Sequence, residues 1–226
     1  MTLGEKLFFF IIYINLLAAN VISVEFSVVP KINCNDLNNN QFSDFIAFSD
    51  FDVPRTIYHL DLVGDKVEIL WKYEMSNEIN GYFVDLILND FDGDGNVELI
   101  AVSYQENNDK IMYIFSSKKG VSFDELPLIV PIENSKSEIN NPTGLYSFSP
   151  NSANNLFVLT QGSPNRQIIM CEYINNKIIA RGYIATTFLD ETISPINIAL
   201  GDFNNNGNED IFVLSNGLQP SGYFVY

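Results

Sequence analysis

The chain has few of the residues that most enzyme active sites use. Its 226 residues include one histidine, two cysteines and one tryptophan. A single histidine excludes a paired-histidine metal motif, and no Gly-x-Ser-x-Gly elbow or glycine-rich phosphate loop occurs. No Cys-x-x-Cys pair occurs either, so the sequence does not support a thiolate zinc site or redox site. We therefore expect no catalytic residues in this chain.

Basic residues are also scarce. The chain has 12 Lys and Arg against 28 Asp and Glu, which gives a formal net charge of -16. This charge repels phosphate backbones and makes nucleic acid an unsuitable partner. Hydrophobic residues make up 46% of the chain, which indicates a packed core rather than disorder. Cys34 and Cys171 are compatible with either a disulfide in an exported protein or two separate buried thiols.

Residues 1–23 have the pattern of a secretory signal peptide. Lys6 precedes the apolar stretch Leu7–Ala19, and small or modest side chains at Val21–Ser23 suit signal peptidase. The apolar stretch is shorter than the roughly 20 residues of a spanning helix, although an uncleaved anchor is the alternative. No later segment is long and apolar enough to span a bilayer. We expect a mature chain of residues 24–226, secreted or held at the cell surface.

A nine-residue acidic or amide-rich motif, followed by an apolar run, occurs four times. The copies begin at residues 36, 90, 147 and 202, so the steps are 54, 57 and 55 residues. Such a period is typical of a repeat architecture. The sequence of the clearest copy is Asp90-Phe91-Asp92-Gly93-Asp94-Gly95-Asn96-Val97-Glu98.

Each period reads as strands separated by turns rich in Asn, Asp and Gly. In the second period, strands are predicted at 82–88, 98–103 and 110–116, with an irregular edge-like run at 123–131. Four antiparallel strands repeated at a fixed period indicate an all-β fold, a β-propeller with blades of about 55 residues. About 3.5 blades are present, which predicts a fragment of a larger ring. The alternative is a four-bladed ring completed by residues 24–29.

The Asp90 loop has the ligand pattern of a hard-cation site. Asp90, Asp92, Asp94 and Glu98 supply carboxylates at positions one, three, five and nine, and Asn96 offers its backbone carbonyl. Oxygen ligands of this number suit Ca²⁺ better than the stricter octahedron of Mg²⁺. An EF-hand is excluded, because position twelve is Ala101 rather than Glu and the flanking segments are strand-like.

The other three loops carry fewer carboxylates, and fewer charges mean weaker calcium binding. The predicted affinity falls from the Asp202 loop to the Asp36 loop, in which Gln41 replaces the glycine. The degenerate copy of the motif at 147–155 has no carboxylate, so the turn preference of its Ser and Asn residues alone explains its composition. The candidate ligands are Asp202, Asn204, Asn206 and Asp210 in one loop, and Asp36, Asn38, Asn40 and Asp44 in the other.

The Asp90 motif, continuing into Leu99-Ile100, resembles the FG-GAP or VCBS-type repeat of integrin alpha-chain propellers and of many exported bacterial propellers. The Asp202 motif is similar. The resemblance implies calcium-binding loops within a seven-bladed propeller. It places ligand roles on Asp90, Asp92, Asp94, Asn96 and Glu98, and on Asp202, Asn204, Asn206, Asn208 and Asp210. The Phe-Gly and Gly-Ala-Pro segments of that repeat are absent, and Glu98 stands where Asp is usual.

Three functions fit the sequence. The first is a non-catalytic extracellular module in which calcium orders the loops and the propeller binds a protein or glycan. The second is part of a carbohydrate-active enzyme such as a polysaccharide lyase, and the third is a structural repeat in a large surface protein. The one histidine, His59, is the candidate catalytic residue of the second function, but we expect it to be a partly solvated strand residue. It shares a strand face with Asp61. Five aromatic residues are candidates for a sugar-binding face or for packing between blades: Trp71, Tyr73, Tyr82, Tyr104 and Tyr113.

Overall fold

The computed structural model describes most of the chain from residue 33 onward. The described residues are 11–12, 22–23, 33–37, 40, 44–49, 54–63, 66–106, 110–118, 122–135, 139, 141–148, 155–185, 194–207, 209–216 and 221–225. Within them the chain is all-β, with no helix. No helix in this part has the length and apolarity needed to cross a membrane. The strands Ile11–Ile12 (β1) and Ile22–Ser23 (β2) pair with each other in antiparallel fashion.

The chain divides into two compact units. The first comprises residues 1–79 with 119–122, and the second comprises residues 80–118 with 123–226. The first unit holds one four-stranded antiparallel sheet, in chain order. Its strands are Asn33–Asn35 (β3), Asp44–Phe48 (β4), Thr56–Val63 (β5) and Lys66–Glu74 (β6). Ile46, Ile57 and Trp71 are among its buried side chains.

The second sheet repeats this meander and has two short strands at its outer edge. Its strands are Gly81–Asn89 (β7), Glu98–Gln105 (β8), Met112–Lys118 (β9), Ser122–Phe123 (β10) and Leu128–Val130 (β11). Both β10 and β11 pair with β9. The predicted edge-like run at 123–131 is therefore two strands, and Pro127 lies between them.

The third and fourth sheets follow the same plan. The third contains Pro142–Phe148 (β13), Leu156–Gln161 (β14), Gln167–Ile174 (β15) and Lys177–Ala185 (β16), and the short strand Ile132–Glu133 (β12) runs parallel to β16. The fourth contains Ser194–Gly201 (β17), Asp210–Asn216 (β18) and Ser221–Val225 (β19). In the second sheet, the strands predicted at 82–88, 98–103 and 110–116 agree with the bounds of β7, β8 and β9 to within two residues. The segment at 24–29, proposed as a closing strand, lies outside the described residues.

Apolar alternation explains how the sheets of the second unit pack. Side chains on the inward faces of the second and third sheets form one core, which includes Phe91, Ile100, Leu145, Phe157 and Ile169. A second core joins the third and fourth sheets through residues such as Phe148, Ile168 and Val213. Burial of such side chains contributes about 1.5–3 kcal/mol each. These two cores fix the strands that flank the Asp90 and Asp202 loops.

Three expectations about single residues are revised or refined. His59 is only 1% exposed, so the expected partial solvation is wrong. A register shift between His59 and Leu60 in the pairing of β5 with β6 interrupts the simple alternation, and both Leu60 and Asp61 are buried.

Cys171 is a buried free thiol whose pKa is raised by burial. Trp71 and Tyr113 are buried, whereas Tyr82 is exposed and stacks on Tyr104 with ring centroids 5.3 Å apart.

Candidate metal site

The two more acidic motifs of the second unit each connect the first and second long strands of a sheet. The Asp90 loop joins β7 to β8, and the Asp202 loop joins β17 to β18. Gly93 and Gly95 have φ angles of 76° and 86°, in the left-handed region that glycine adopts at little cost. Nothing lies within 4 Å of a Cβ added at either glycine, so the backbone conformation rather than space requires glycine there.

Hydrogen bonds within the Asp90 loop fix the positions of its carboxylates. The Asp90 carboxylate accepts from the N–H groups of Gly93 and Gly95 at 2.8 and 3.1 Å. Asp92 accepts from the N–H of Asp94 at 3.1 Å. Asp94 accepts from the backbone N–H and the side-chain amide of Asn96 at 2.7 and 2.9 Å. These Asx-type contacts fix the turn without any ligand.

Glu98 is the buried member of the loop. It is the first residue of β8 and is 1% exposed, and its Oε2 accepts from the N–H of Phe91 at 2.8 Å. Burial raises the pKa of Glu98 to about 7, and the nearby charges of Asp92, Asp94 and Asp90 act in the same direction. The Phe91 N–H opposes this shift. The carboxylate is therefore costly to ionise unless a cation compensates it.

Three predicted ligands meet at this point. Ligand oxygens of Asp90, Asp92 and Glu98 lie within 4.8 Å of one another. Asp94 and Asn96 are engaged with each other in the same loop, beside this group. Three converging carboxylates form a donor set that suits a hard divalent cation, since such ions take oxygen ligands. The residues of the loop therefore fit a hard divalent cation.

The Asp202 loop has the same hydrogen-bonded frame with fewer charges. Asp202 accepts from the N–H groups of Asn206 and Gly207 at 2.9 and 2.8 Å. Asp210, which is 3% exposed, accepts from the N–H of Phe203 at 3.1 Å and from the Asn204 amide at 3.3 Å. The resemblance also assigned a ligand role to Asn208, which lies outside the described residues.

The Asp36 loop differs in what surrounds it. Asp36 accepts from the Asn40 N–H at 3.0 Å, and buried Asp44 accepts from the Leu37 N–H at 2.7 Å. The Asn40 amide, however, donates to Asp61 at 3.0 Å, and His59 Nε2 lies 3.6 Å from Asp44. Asn38 and Gln41 lie outside the described residues, as do residues 149–154 of the degenerate motif copy.

Asp61 and His59 were not assigned to this loop from the sequence. Both residues lie on β5, the neighbouring strand, so the motif spacing carries no signal for them. Burial lowers the pKa of His59, against the opposing effect of the Asp44 and Asp61 carboxylates. Together with Asp44 these side chains form a buried polar group beneath the loop.

One relationship recurs in all three loops that the structure describes. The carboxylate at position nine is buried and accepts a hydrogen bond from the N–H at position two. The pairs are Glu98 with Phe91, Asp210 with Phe203, and Asp44 with Leu37. The ninth residue thus closes the loop as well as being a candidate ligand.

Comparisons with known proteins support the fold. No protein-family model matches the chain, and no curated protein matches it. Among solved structures it is similar to rhamnogalacturonan lyase YesW, with a TM-score of 0.53 and 12% identity over 82% of this chain. It is also similar to the exotype rhamnogalacturonan lyase YesX, with a TM-score of 0.50, 12% identity and 82% of this chain covered.

The similarity to the rhamnogalacturonan lyase PL11 from Bacillus licheniformis has a TM-score of 0.47 and 14% identity. It covers 82% of this chain and 40% of the lyase chain. The chain spans 40% of YesW and 39% of YesX. At such identity the likeness concerns the fold alone. The chain is therefore all-β and similar in fold to part of the rhamnogalacturonan lyases YesW and YesX.

Proposed function

We propose that this chain is an exported, calcium-binding β-propeller module that binds an extracellular glycan or protein and is itself non-catalytic. The observation that carries the proposal is the convergence of Asp90, Asp92 and Glu98 at the start of β8. Calcium at this point would neutralise part of their repulsion and hold the β7–β8 connection in one conformation. The resemblance to FG-GAP or VCBS-type repeats supports the same reading.

The preference for calcium over magnesium follows from the donor set. Three carboxylates on one short loop allow irregular coordination by six to eight oxygens, which calcium accepts and magnesium does not. Titration calorimetry of the full chain with CaCl₂ and, separately, MgCl₂ tests this point. We expect calcium to bind at least one site and magnesium to bind more weakly. Equal affinities, or no heat with either ion, would contradict the proposal.

The arrangement of the sheets as propeller blades is a separate part of the proposal. Within the second unit, neighbouring sheets are linked through their first long strands, as radially arranged blades require. The Leu145 N–H on β13 donates to buried Asp85 on β7 at 2.8 Å. The Thr143 hydroxyl on β13 donates to the Pro195 carbonyl on β17 at 3.4 Å. With the period of the motif, these links favour radially arranged blades, and the resemblance to FG-GAP or VCBS-type repeats implies a ring of seven.

The second candidate function is a part of a polysaccharide lyase. The observation that favours it is the fold similarity to rhamnogalacturonan lyases YesW and YesX. Fold alone does not carry activity to this chain. His59, the one histidine, is buried and so is poorly placed to meet a polymer substrate. Incubation with rhamnogalacturonan, followed by absorbance of unsaturated uronate products, separates the candidates: product formation supports a lyase, and its absence supports the binding module.

Export is proposed from residues 1–23. N-terminal sequencing of the protein recovered outside the cell tests it, with cleavage expected near Ser23. An intact Met1 on exported protein would support an anchor instead. A purely structural repeat of a surface protein remains the third reading, which specific binding of any glycan or protein would contradict.

A further inference from the structure

A cavity lies against the Asp90 loop, on the side facing the third sheet. Its volume is about 440 Å³, and it is lined by Phe91, Asp92, Gly93, Asn155, Tyr173, Ile174 and Asn175. That volume is within the range of about 300–1,000 Å³ that small-molecule sites occupy. The loop forms one wall, and the β15–β16 hairpin forms the other.

The two walls are held in place by packing and hydrogen bonds. Phe91 is 1% exposed and makes edge-to-face contacts with Phe157 and Tyr173 at centroid distances of 5.9 and 6.5 Å. The Tyr173 hydroxyl donates to Asn176 at 2.9 Å, which fixes the ring against its own turn. Asn175 and Asn176 have φ angles of 50° and 62°, as a tight primed hairpin turn requires. The cavity is therefore preformed.

The lining combines apolar and hydrogen-bonding surfaces. Phe91, Tyr173 and Ile174 provide the apolar part, and Ile174 is 37% exposed. Asn175 offers both donors and an acceptor, and Asp92 offers acceptors. Asn155 donates its amide N–H to Glu172 at 2.9 Å, which leaves its amide oxygen for a ligand hydroxyl. Aromatic rings beside amides and a carboxylate form the complement of a sugar, which has C–H faces and a rim of hydroxyls.

Charge decides which class of sugar fits. The loop carries four carboxylates, Asp90, Asp92, Asp94 and Glu98, and one divalent cation would leave an excess of negative charge. This negative charge reaches the cavity directly, because Asp92 is one of the residues that line it. A uronate carboxylate would be repelled at this wall, whereas a neutral hydroxyl can donate to Asp92.

We propose that this cavity binds a neutral sugar residue of a polysaccharide, between the Asp90 loop and the Asn175–Asn176 turn. The inference rests on the proposed glycan-binding role and names the ligand class for it. It does not require the sugar to contact the cation. A basic peptide is also compatible with a negative wall, but it would not use the apolar and amide surfaces of the hairpin.

Ligand-observed NMR on the full chain in saturating CaCl₂ tests the inference with a matched pair of probes. These are α-1,4-galactobiose and α-1,4-digalacturonate, which differ by oxidation at C6. We expect galactobiose to bind in the millimolar range and at least about fivefold more tightly than digalacturonate. Tighter binding of digalacturonate, or binding of an arginine-containing peptide with neither sugar, would overturn the proposal.

A pair of variants connects the binding to this cavity. Asn175→Gly removes the side chain but suits the positive φ, so the turn is retained. It should raise the Kd for galactobiose about fivefold, the loss of one hydrogen bond, and leave the calcium affinity unchanged. Asn134→Gly, the same change at another residue with positive φ outside the cavity, should alter neither. Equal effects of the two variants on galactobiose would overturn the assignment.

Calcium titration of the same samples separates the two proposals. Calcium binding without binding of either disaccharide overturns the sugar site and supports the cation site. Galactobiose binding without calcium binding supports the sugar site and contradicts the cation site.

Discussion

The backbone N–H of Phe91 donates a 2.8 Å hydrogen bond to Oε2 of Glu98, so the second residue of the acidic loop is held by the ninth. This contact places the Phe91 ring in the core of the second unit and the Glu98 carboxylate beside Asp90 and Asp92. One interaction therefore connects the packing of the sheets to the geometry of the candidate metal site. Changes to either residue should alter both stability and cation affinity.

Replacing Phe91 with alanine should destabilise the fold strongly. The ring is 1% exposed and contacts Phe157 and Tyr173, so we expect a loss of about 3–5 kcal/mol in the free energy of unfolding. Phe203 occupies the same position in the Asp202 loop but is 49% exposed, and Phe203→Ala should cost less than about 1 kcal/mol. Urea denaturation measures both. Similar losses in the two variants would contradict the role assigned to Phe91.

Glu98 should make the cation-free protein less stable as the pH rises. Its pKa is raised to about 7 in the folded protein from an ordinary value of 4.5, so the folded state retains a proton that the unfolded chain has released. The free energy of unfolding should therefore fall between about pH 4.5 and 7, by roughly 1–3 kcal/mol. Denaturation in the presence of a chelator at pH 5 and pH 7 measures this fall.

The Glu98→Gln variant is the control for that pH dependence. Because glutamine does not titrate, the fall in stability between the two pH values should be much smaller in the variant. Parallel pH profiles for the variant and the unmodified protein would show that other groups cause the effect.

Gly95→Ala should strain the loop. The φ angle of 86° is unfavourable for a residue with a Cβ, so we expect a cost of about 1–2 kcal/mol and a weaker calcium affinity. Gly95→Asn should cost less, because asparagine tolerates left-handed conformations better. Thermal unfolding and calcium titration of both variants check the order. A fully stable alanine variant would mean that the loop relaxes to another conformation.

Replacing Asp92 and Asp94 together with alanine should remove most of the protein's response to a chelator. The variant lacks two of the four carboxylates of the loop, so calcium should stabilise it far less than it stabilises the unmodified protein. Asn204→Ala combined with Asn206→Ala is the position-matched change in the more weakly charged loop and should remove less of the response. If the two variants respond alike, the Asp90 loop is not the main cation site.

The strands could be predicted from the sequence because each sheet uses one local pattern. Apolar runs bounded by Asn, Asp and Gly predicted strands at 82–88 and 98–103, and the structure has Gly81–Asn89 and Glu98–Gln105. The short strands β3 and β12 escaped prediction, since two or three residues carry no periodicity. They exist because a neighbouring strand offers an unpaired edge.

The convergence of carboxylates in the Asp90 loop could be predicted from the sequence, whereas the contacts that surround the loops could not. The spacing of Asp90, Asp92 and Glu98 identified residues that do converge. In the Asp36 loop, the motif spacing gave no indication that the Asn40 amide donates a hydrogen bond to Asp61. It also did not indicate that His59 is buried beside Asp44, because those contacts join different strands. The cavity beside Phe91 was equally hidden, since its walls come from segments more than 60 residues apart.

The most direct test of the cation site is thermal unfolding of the full chain with calcium and with a chelator. We expect calcium to raise the Tm by several degrees, since an ion that binds only the folded state stabilises it by mass action, by about 2.7 kcal/mol at a hundredfold excess over Kd. The Asp92→Ala and Asp94→Ala double variant should show little of this shift. Identical unfolding curves with and without calcium would contradict the proposal that Asp90, Asp92 and Glu98 hold a metal ion.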